Sequence, residues 1–238
     1  MSDKYVKSVE YIGGLDKNSH LQHLNIVRQL INGYVINFSS DVTFFVGENG
    51  TGKSTLIEAI AKCMGFNAEG GSRNFNFCTR DTTSELFKFI KIIKSKFPKD
   101  GFFFRAESFY NVASNIEDTG VSGYGNRSLH EQSHGESFFS LFTNRFRGNG
   151  IYILDEPEAS LSPFRQMAFL SLMNDLIKMN SQFIIATHSP ILLSYPKSDI
   201  FELTNSGISK TDFKNCELFK LYKDFLNNSD QALKYLLD

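Results

Sequence analysis

Nine consecutive residues, Gly47-Glu48-Asn49-Gly50-Thr51-Gly52-Lys53-Ser54-Thr55, carry the chemistry needed to hold a polyanion. They match G-x-x-x-x-G-K-[ST] at every fixed position. Gly47, Gly50 and Gly52 let the backbone turn tightly and approach phosphate oxygens without a Cβ in the way. The following helix start offers unpaired N–H groups and the positive end of its dipole. Lys53 adds a mobile cation for the terminal phosphates, and the Ser54 hydroxyl suits Mg²⁺. The apolar run Val42–Val46 precedes the loop and Leu56-Ile57-Glu58-Ala59-Ile60-Ala61 follows it. A chance glycine turn would need neither flank. Strand, loop and helix together predict a nucleoside triphosphate site with Mg²⁺.

The second half of the chain supplies groups that would act on such a ligand. The apolar stretch Ile151–Leu154 runs into Asp155-Glu156-Pro157-Glu158. A strand that delivers an acid at its C-terminal end in a parallel sheet sets that acid beside the phosphate loop. Asp155 is then the expected Mg²⁺ residue, acting through water, and Glu156 the general base that polarises the attacking water. A pair of solvated loop charges would not need four apolar residues in front. The stretch Gln182–Ala186 ends in Thr187-His188-Ser189-Pro190. A lone histidine at a strand end is ordinarily a satisfied polar residue. At the same sheet end as Asp155, His188 can instead donate to a terminal phosphate.

The order of these motifs resembles the ABC-type ATPases. More narrowly it resembles stand-alone predicted bacterial ATPases that carry Ser-His-Gly-Glu-Ser, here Ser133-His134-Gly135-Glu136-Ser137. The resemblance implies ATP as substrate and a nucleotide-dependent homodimer. Ser133 and Gly135 would contact the ATP held by a second subunit, and Glu158-Ala159-Ser160-Leu161-Ser162 would cross the interface. Hydrolysis by Glu156 would then release the pair. The chain departs from that pattern twice. His134 stands where a first glycine is usual, and no glutamine follows the strand Gly101–Arg105. Glu107 is the nearest substitute for that glutamine, with Arg105 second, and Glu107 is therefore a candidate Mg²⁺ residue.

These groups need a scaffold. Tyr5–Ile12 and Tyr34–Phe38 read as strands that, with Val42–Val46, form an antiparallel edge. Helices are expected from Lys53 to near Gly65, over Ser84–Phe97, over Ser137–Phe146 and over Phe164–Met179. Strands are expected at Gly101–Arg105, Ile151–Leu154, Gln182–Ala186, Ile200–Leu203 and near Ile208, with helical segments from Glu217 to Leu237. Alternating strands and helices predict an α/β fold of the P-loop NTPase class. The expected architecture is an ABC-ATPase-like, mostly parallel sheet flanked by helices, with an N-terminal antiparallel edge and a small irregular or helical lobe. One domain, 1–238, is expected, with the lobe over 72–135 and a C-terminal extension over 199–238.

Composition narrows the setting. The 238 residues have 25 Lys+Arg against 26 Asp+Glu, a net charge of −1, which gives no global pull toward nucleic acid or anionic lipid. No apolar run has the length of a membrane span, and Met1-Ser2-Asp3-Lys4 does not open a signal peptide, so a cytoplasmic protein without direct membrane insertion is expected. Cys63, Cys78 and Cys216 have no metal spacing and are expected as thiols.

Other readings compete. His130-Glu131-Gln132-Ser133-His134 matches H-E-x-x-H, which as a helix would bind zinc for proteolysis. It uses the same residues as the Ser133 motif, runs into Gly135, and has no third ligand at a suitable spacing. An ABC transporter's nucleotide-binding subunit needs a docking lobe, for which the 25 residues between Glu107 and Ser133 are short. No heptads mark a coiled coil there. A compact head like that of the RecF type, or of ATPases paired with effectors in phage defence, fits the length. DNA binding has one local hint: Lys88, Lys91 and Lys94 would share a face of the expected helix, beside Lys96 and Lys99. No base-reading string for GTP is present. Tyr34 or Phe38 could stack on adenine, although core packing is the commoner role for such residues.

Overall fold

The computed structural model describes residues 4–73, 84–108 and 134–237. The chain opens with β1 (Val6–Tyr11), α1 (Asn25–Ile31), β2 (Ile36–Asn37), β3 (Val42–Gly47) and α2 (Lys53–Cys63). β4 (Ile90–Lys94) and β5 (Asp100–Arg105) follow, then α3 (His134–Arg145), β6 (Gly150–Asp155), α4 (Pro163–Lys178) and β7 (Gln182–Ala186). The C-terminal part comprises α5 (Pro190–Leu193), β8 (Asp199–Thr204), β9 (Gly207–Thr211), α6 (Glu217–Asn227) and α7 (Ser229–Leu237).

The main sheet has the order β5-β6-β7-β3-β8-β9, parallel throughout except for the β8–β9 hairpin. Its inner strands read as continuous apolar runs because helices cover both faces. Period-two alternation then sorts the side chains. Phe44, Phe102, Phe104, Tyr152 and Phe183 face α3 and α4, where Phe138, Phe142, Phe146 and Phe169 interleave. Phe45, Phe103, Ile153 and Ile184 face α1 and α2. Much of the chain's phenylalanine sits in the first layer, with edge and tilted pairs such as Phe104–Phe138 and Phe142–Phe169 at 4.3 and 4.6 Å between centroids.

A second, antiparallel sheet has the order β2-β1-β4. The Gln182 side-chain amide joins it to the main sheet. Gln182 Oε1 accepts from Val6 N at 2.9 Å and Nε2 donates to Val6 O at 3.0 Å. The expected grouping of three N-terminal strands needs correction here. β3 lies inside the parallel sheet between β7 and β8, and β4 takes its place in the antiparallel one.

The expected helix over Ser84–Phe97 is also overturned. Glu85–Lys88 is a single 3-10 turn, capped by the Ser84 hydroxyl, and Ile90–Lys94 is strand. Buried Ile90 and half-buried Ile92 and Ile93 were compatible with either period, and pairing with β1 decides for the strand. The lysines therefore share no helical face. Lys88 pairs with Glu85, Lys91 lies opposite Glu10 across the strands, and Lys94 Nζ donates to Cys63 O at 2.9 Å.

Register aligns the strand ends. Arg105 is level with Asp155, Asp155 with Ala186, and Ala186 with Phe45. The residues after these positions open on one edge of the sheet, together with the phosphate loop. Cys63 and Cys216 are free thiols, and Cys78 lies outside the described residues. Residues 199–211 form strands of the main sheet, whereas α6 and α7 bury none of their residues. No described helix is long and apolar enough to cross a membrane.

Candidate functional site

The phosphate loop hangs between a buried strand and a buried helix start. Gly47, Gly50 and Gly52 have φ of 145°, 81° and 97°, in the region glycine alone occupies cheaply. At Gly47 the close approach is to the neighbouring strand: a Cβ would lie 2.1 Å from Leu203 O. Glu48, Asn49 and Gly50 form the exposed tip. Lys53 begins α2, is 4% exposed, and donates to Gly47 O at 2.7 Å and Glu48 O at 2.9 Å. Burial lowers its pKa, against the attraction of Glu156, Asp155 and Glu158. Thr51 closes the loop on Glu48 O, and Ser54 and Thr55 lie on the first turn of α2.

Ser54 Oγ donates to Asp155 Oδ1 at 3.2 Å. Asp155 closes β6, is 5% exposed, and has its pKa raised to about 6. Burial is the main cause. Arg105 and the Ser54 hydroxyl pull it down, and Glu156 and Glu107 push it up. A buried carboxylate whose hydrogen bond comes from a hydroxyl is a hard-oxygen donor set. Mg²⁺ is bound by such sets using few protein ligands, the rest being water and phosphate. The residues therefore fit the ion that the loop implies. Among the described residues there is no cluster of three or more His, Cys, Asp or Glu that could hold a metal ion.

Glu107 is not the residue against Asp155. Its side chain is 83% exposed and reaches Arg105 Nη2 at 3.3 Å. Arg105, level with Asp155 in the sheet, touches both. Its Nε lies 3.8 Å from Asp155 Oδ2, and Nη1 donates to Glu58 Oε2 at 2.8 Å. Glu58 is buried on α2, one turn below the loop's serine. Sequence reasoning missed Glu58 altogether. The signal was present as an acid in an otherwise apolar helical run.

Glu156 sits in the left-handed region at φ 53°, ψ 53°, held there by its N–H to Ala186 O at 3.0 Å. A residue other than glycine in that conformation costs about 1 kcal/mol or more and is kept where the surroundings fix it. Its carboxylate lies beside His188, whose Nε2 is 3.6 Å from Glu156 Oε1. Burial and Lys53 lower the His188 pKa, against Glu156, so the ring is neutral at pH 7. The Nε2 atom is covered and has no hydrogen-bond partner among the described residues. Glu158 anchors the same loop from inside. Its Oε1 accepts the backbone N–H of His188, which links the loop after β6 to the loop after β7. Ser189 Oγ donates to Gln166 of α4, and Gln166 Nε2 donates to Leu161 O at 2.9 Å, closing the circuit.

The structure thus brings together Lys53, Ser54, Asp155, Glu156 and His188. Ser160 lies in the 3-10 turn Pro157–Ser160 that follows. Ser133, with His130 and Glu131, lies outside the described residues. Gly135 falls in the first turn of α3, which begins at His134. Phe38 is 4% exposed and packs edge-on against Phe45, so it is core and not a base platform. A cavity of about 790 Å³ adjoins the loop, between Gly47, Thr51, His188, the β8–β9 turn and Leu218 and Leu221 of α6.

A parallel sheet with β3 inside it, a glycine loop running into α2 and acids at the end of β6 give this chain the α/β fold seen in P-loop ABC-type ATPases. Residues 77–194 match the family described as "AAA domain, putative AbiEii toxin, Type IV TA system". That stretch contains Asp155, Glu156 and His188 and begins after the phosphate loop. The tungstate uptake system ATP-binding protein TupC of Campylobacter jejuni is 25% identical over 226 residues, covering 79% of this chain and 65% of the relative. The chain therefore spans just under two thirds of that relative's length. Among solved structures, cbiO1 of Clostridium perfringens, part of the ABC transporter complex cbiONQ, superposes with a TM-score of 0.52. Its identity is 18%, with 94% of this chain and 95% of that one covered. The SMC head domain of Thermotoga maritima gives a TM-score of 0.44 at 16% identity, covering 88% and 99%.

Proposed function

We propose that this chain binds ATP with Mg²⁺ and hydrolyses it, and that ATP brings two copies together as a switch. The observation that carries the reading is the contact of Ser54 with Asp155 beneath the Lys53 loop, with Glu156 and His188 poised on the same edge. Ser54 and Asp155 would hold Mg²⁺, which when bound neutralises phosphate charge. Lys53 and the N-terminus of α2 orient the phosphates. Glu156 takes the proton of the attacking water, and neutral His188 donates from Nε2 toward the terminal phosphate as charge builds there. Because Glu158 fixes the His188 backbone, base and donor move as one unit.

The dimer rests on the resemblance of Ser133–Ser137 to a signature loop. The work done by the cycle divides between two readings. The family description supports an ATPase of a toxin–antitoxin system, and the similarity to TupC supports an ATP-binding subunit of an uptake system. The DNA reading has lost its helical lysine face.

Phosphate release by the purified protein tests the core of the proposal. Turnover that needs Mg²⁺ and is lost in both Lys53→Ala and Glu156→Gln supports it. Turnover that survives Glu156→Gln removes Glu156 from the role of base. Light scattering of Glu156→Gln with Mg-ATP tests the switch, and a monomer at every ATP concentration would end it.

A further inference from the structure

Among the described residues, five carboxylates crowd this edge of the sheet. Asp155, Glu156 and Glu158 all act on Lys53, and Glu58 and Glu107 both pair with Arg105. A triphosphate brings further negative charge into the same space. The cations set among these acids are Lys53, from the loop, and Arg105, from the end of β5.

Arg105 is built in as no ordinary surface cation would be. It leaves β5 level with Asp155, so its backbone is fixed by the ladder on which Asp155 also sits. Glu58 grips its far end at 2.8 Å and is itself fixed, with a side chain 5% exposed and Oε1 accepting from Ser84 N at 2.9 Å. The guanidinium Nε is covered, lies 3.8 Å from Asp155 Oδ2, and has no hydrogen-bond partner among the described residues. A buried ion pair serves stability poorly, because an apolar pair of the same volume does as well or better. A pair whose only role was to tie β5 to α2 would not need to leave a covered N–H donor 3.8 Å from the metal-side acid. Arginine is the cation suited to this post, since it stays charged when buried and engages two acids from one plane.

We propose that Arg105, clamped by Glu58, is a resident counter-cation of the phosphate site, taking part of the charge neutralisation that a divalent ion otherwise supplies. Triphosphate binding by this chain is then only weakly metal-dependent. The inference rests on the nucleotide reading of the loop given above.

The test is equilibrium binding of a fluorescent ATP analogue to the full chain, once in Mg²⁺ and once in EDTA. The wild-type protein should bind in EDTA within about tenfold of its affinity in Mg²⁺, a span equal to one factor of ten in the equilibrium constant. Arg105→Gln should lose at least tenfold in EDTA and less than threefold in Mg²⁺, and Arg105→Lys should recover part of the loss. Because Arg105→Gln leaves Glu58 buried without its partner, the double variant Arg105→Gln/Glu58→Gln is measured alongside it. The double variant keeps a hydrogen-bonding pair and should show the same selective loss. Equal losses in both media, or none in EDTA, would overturn the role of Arg105 while leaving the site intact. Lys53→Ala separates the two failures. If neither the wild-type protein nor any variant binds in either medium, the nucleotide reading itself falls.

Discussion

The Ser54 hydroxyl and the Asp155 carboxylate meet at 3.2 Å across 101 residues of chain. One begins the helix after the phosphate loop and the other ends the second strand of a six-stranded sheet. Their meeting depends on β7, which pairs with both β3 and β6 and so holds the two strand ends level. The site is thus a product of register, and a slip by one residue would turn Asp155 to the opposite face.

Asp155→Asn should stabilise the metal-free protein at neutral pH while abolishing turnover. A carboxyl held at about 6 against an ordinary 3.8 lowers folding stability by about 3 kcal/mol once ionised in both states. The sign follows from the raised value. The penalty is absent below 3.8, grows as pH rises through the interval, and is complete above 6. Thermal melts in EDTA should show the largest advantage of Asn at pH 7 to 8 and almost none near pH 4. An advantage that does not change with pH would mean that Asp155 is not held in its protonated form.

Glu156→Gln should cut turnover by at least about a hundredfold, the scale of a lost general base, with ATP affinity retained. Pre-steady-state phosphate release beside analogue binding separates the two. A matched loss of binding would make Glu156 a ligand-holding group instead.

Glu158→Ala should slow turnover and destabilise the fold by about 1–3 kcal/mol, the cost of stranding a covered backbone donor. The His188 N–H loses its acceptor, and with it the fixed spacing between Glu156 and the imidazole. Denaturation midpoints and kcat measured on the same preparation check this. Unchanged kcat would show that His188 is held by its strand alone.

Gly47→Ala should be among the most damaging single changes. Its Cβ would sit 2.1 Å from Leu203 O, and its φ of 145° is costly for any side chain. The β3–β8 ladder must open to admit it, a loss above about 3 kcal/mol. Urea unfolding checks the stability and analogue binding the loop. A variant of normal stability would show that β8 can retreat from the loop freely.

Most of the site was readable because its parts are local. A glycine loop between two apolar segments, and an acid pair after four apolar residues, each announce themselves within ten residues. What escaped was set by tertiary pairing. Ile90–Lys94 satisfied a helical period as well as a strand's, and only the partner β1 chose between them. The same pairing displaced β3 from the antiparallel edge. Glu107 was favoured over Arg105 as an acid near the expected glutamine position, yet the ladder sets Arg105 beside Asp155 and leaves Glu107 in solvent. Glu58 and Gln182 looked like incidental polar residues in apolar runs. Their partners, Arg105 and the backbone of Val6, come from distant parts of the chain.

The central position of β3 has a consequence for biosynthesis. Its two neighbours, β7 and β8, begin at residues 182 and 199, whereas the strand itself ends at residue 47. A chain emerging from the ribosome exposes the glycine loop early, yet nothing β3 pairs with exists until synthesis has passed residue 182. Val42–Val46, wholly apolar apart from Thr43, must wait in solution as an unpaired strand, the kind of segment that invites aggregation or chaperone capture. Nucleotide cannot rescue the nascent chain, since no pocket exists to receive it. Ligand can stabilise only the finished domain, so ATP would raise yield in refolding of the whole chain and leave truncations that end before residue 199 unaffected.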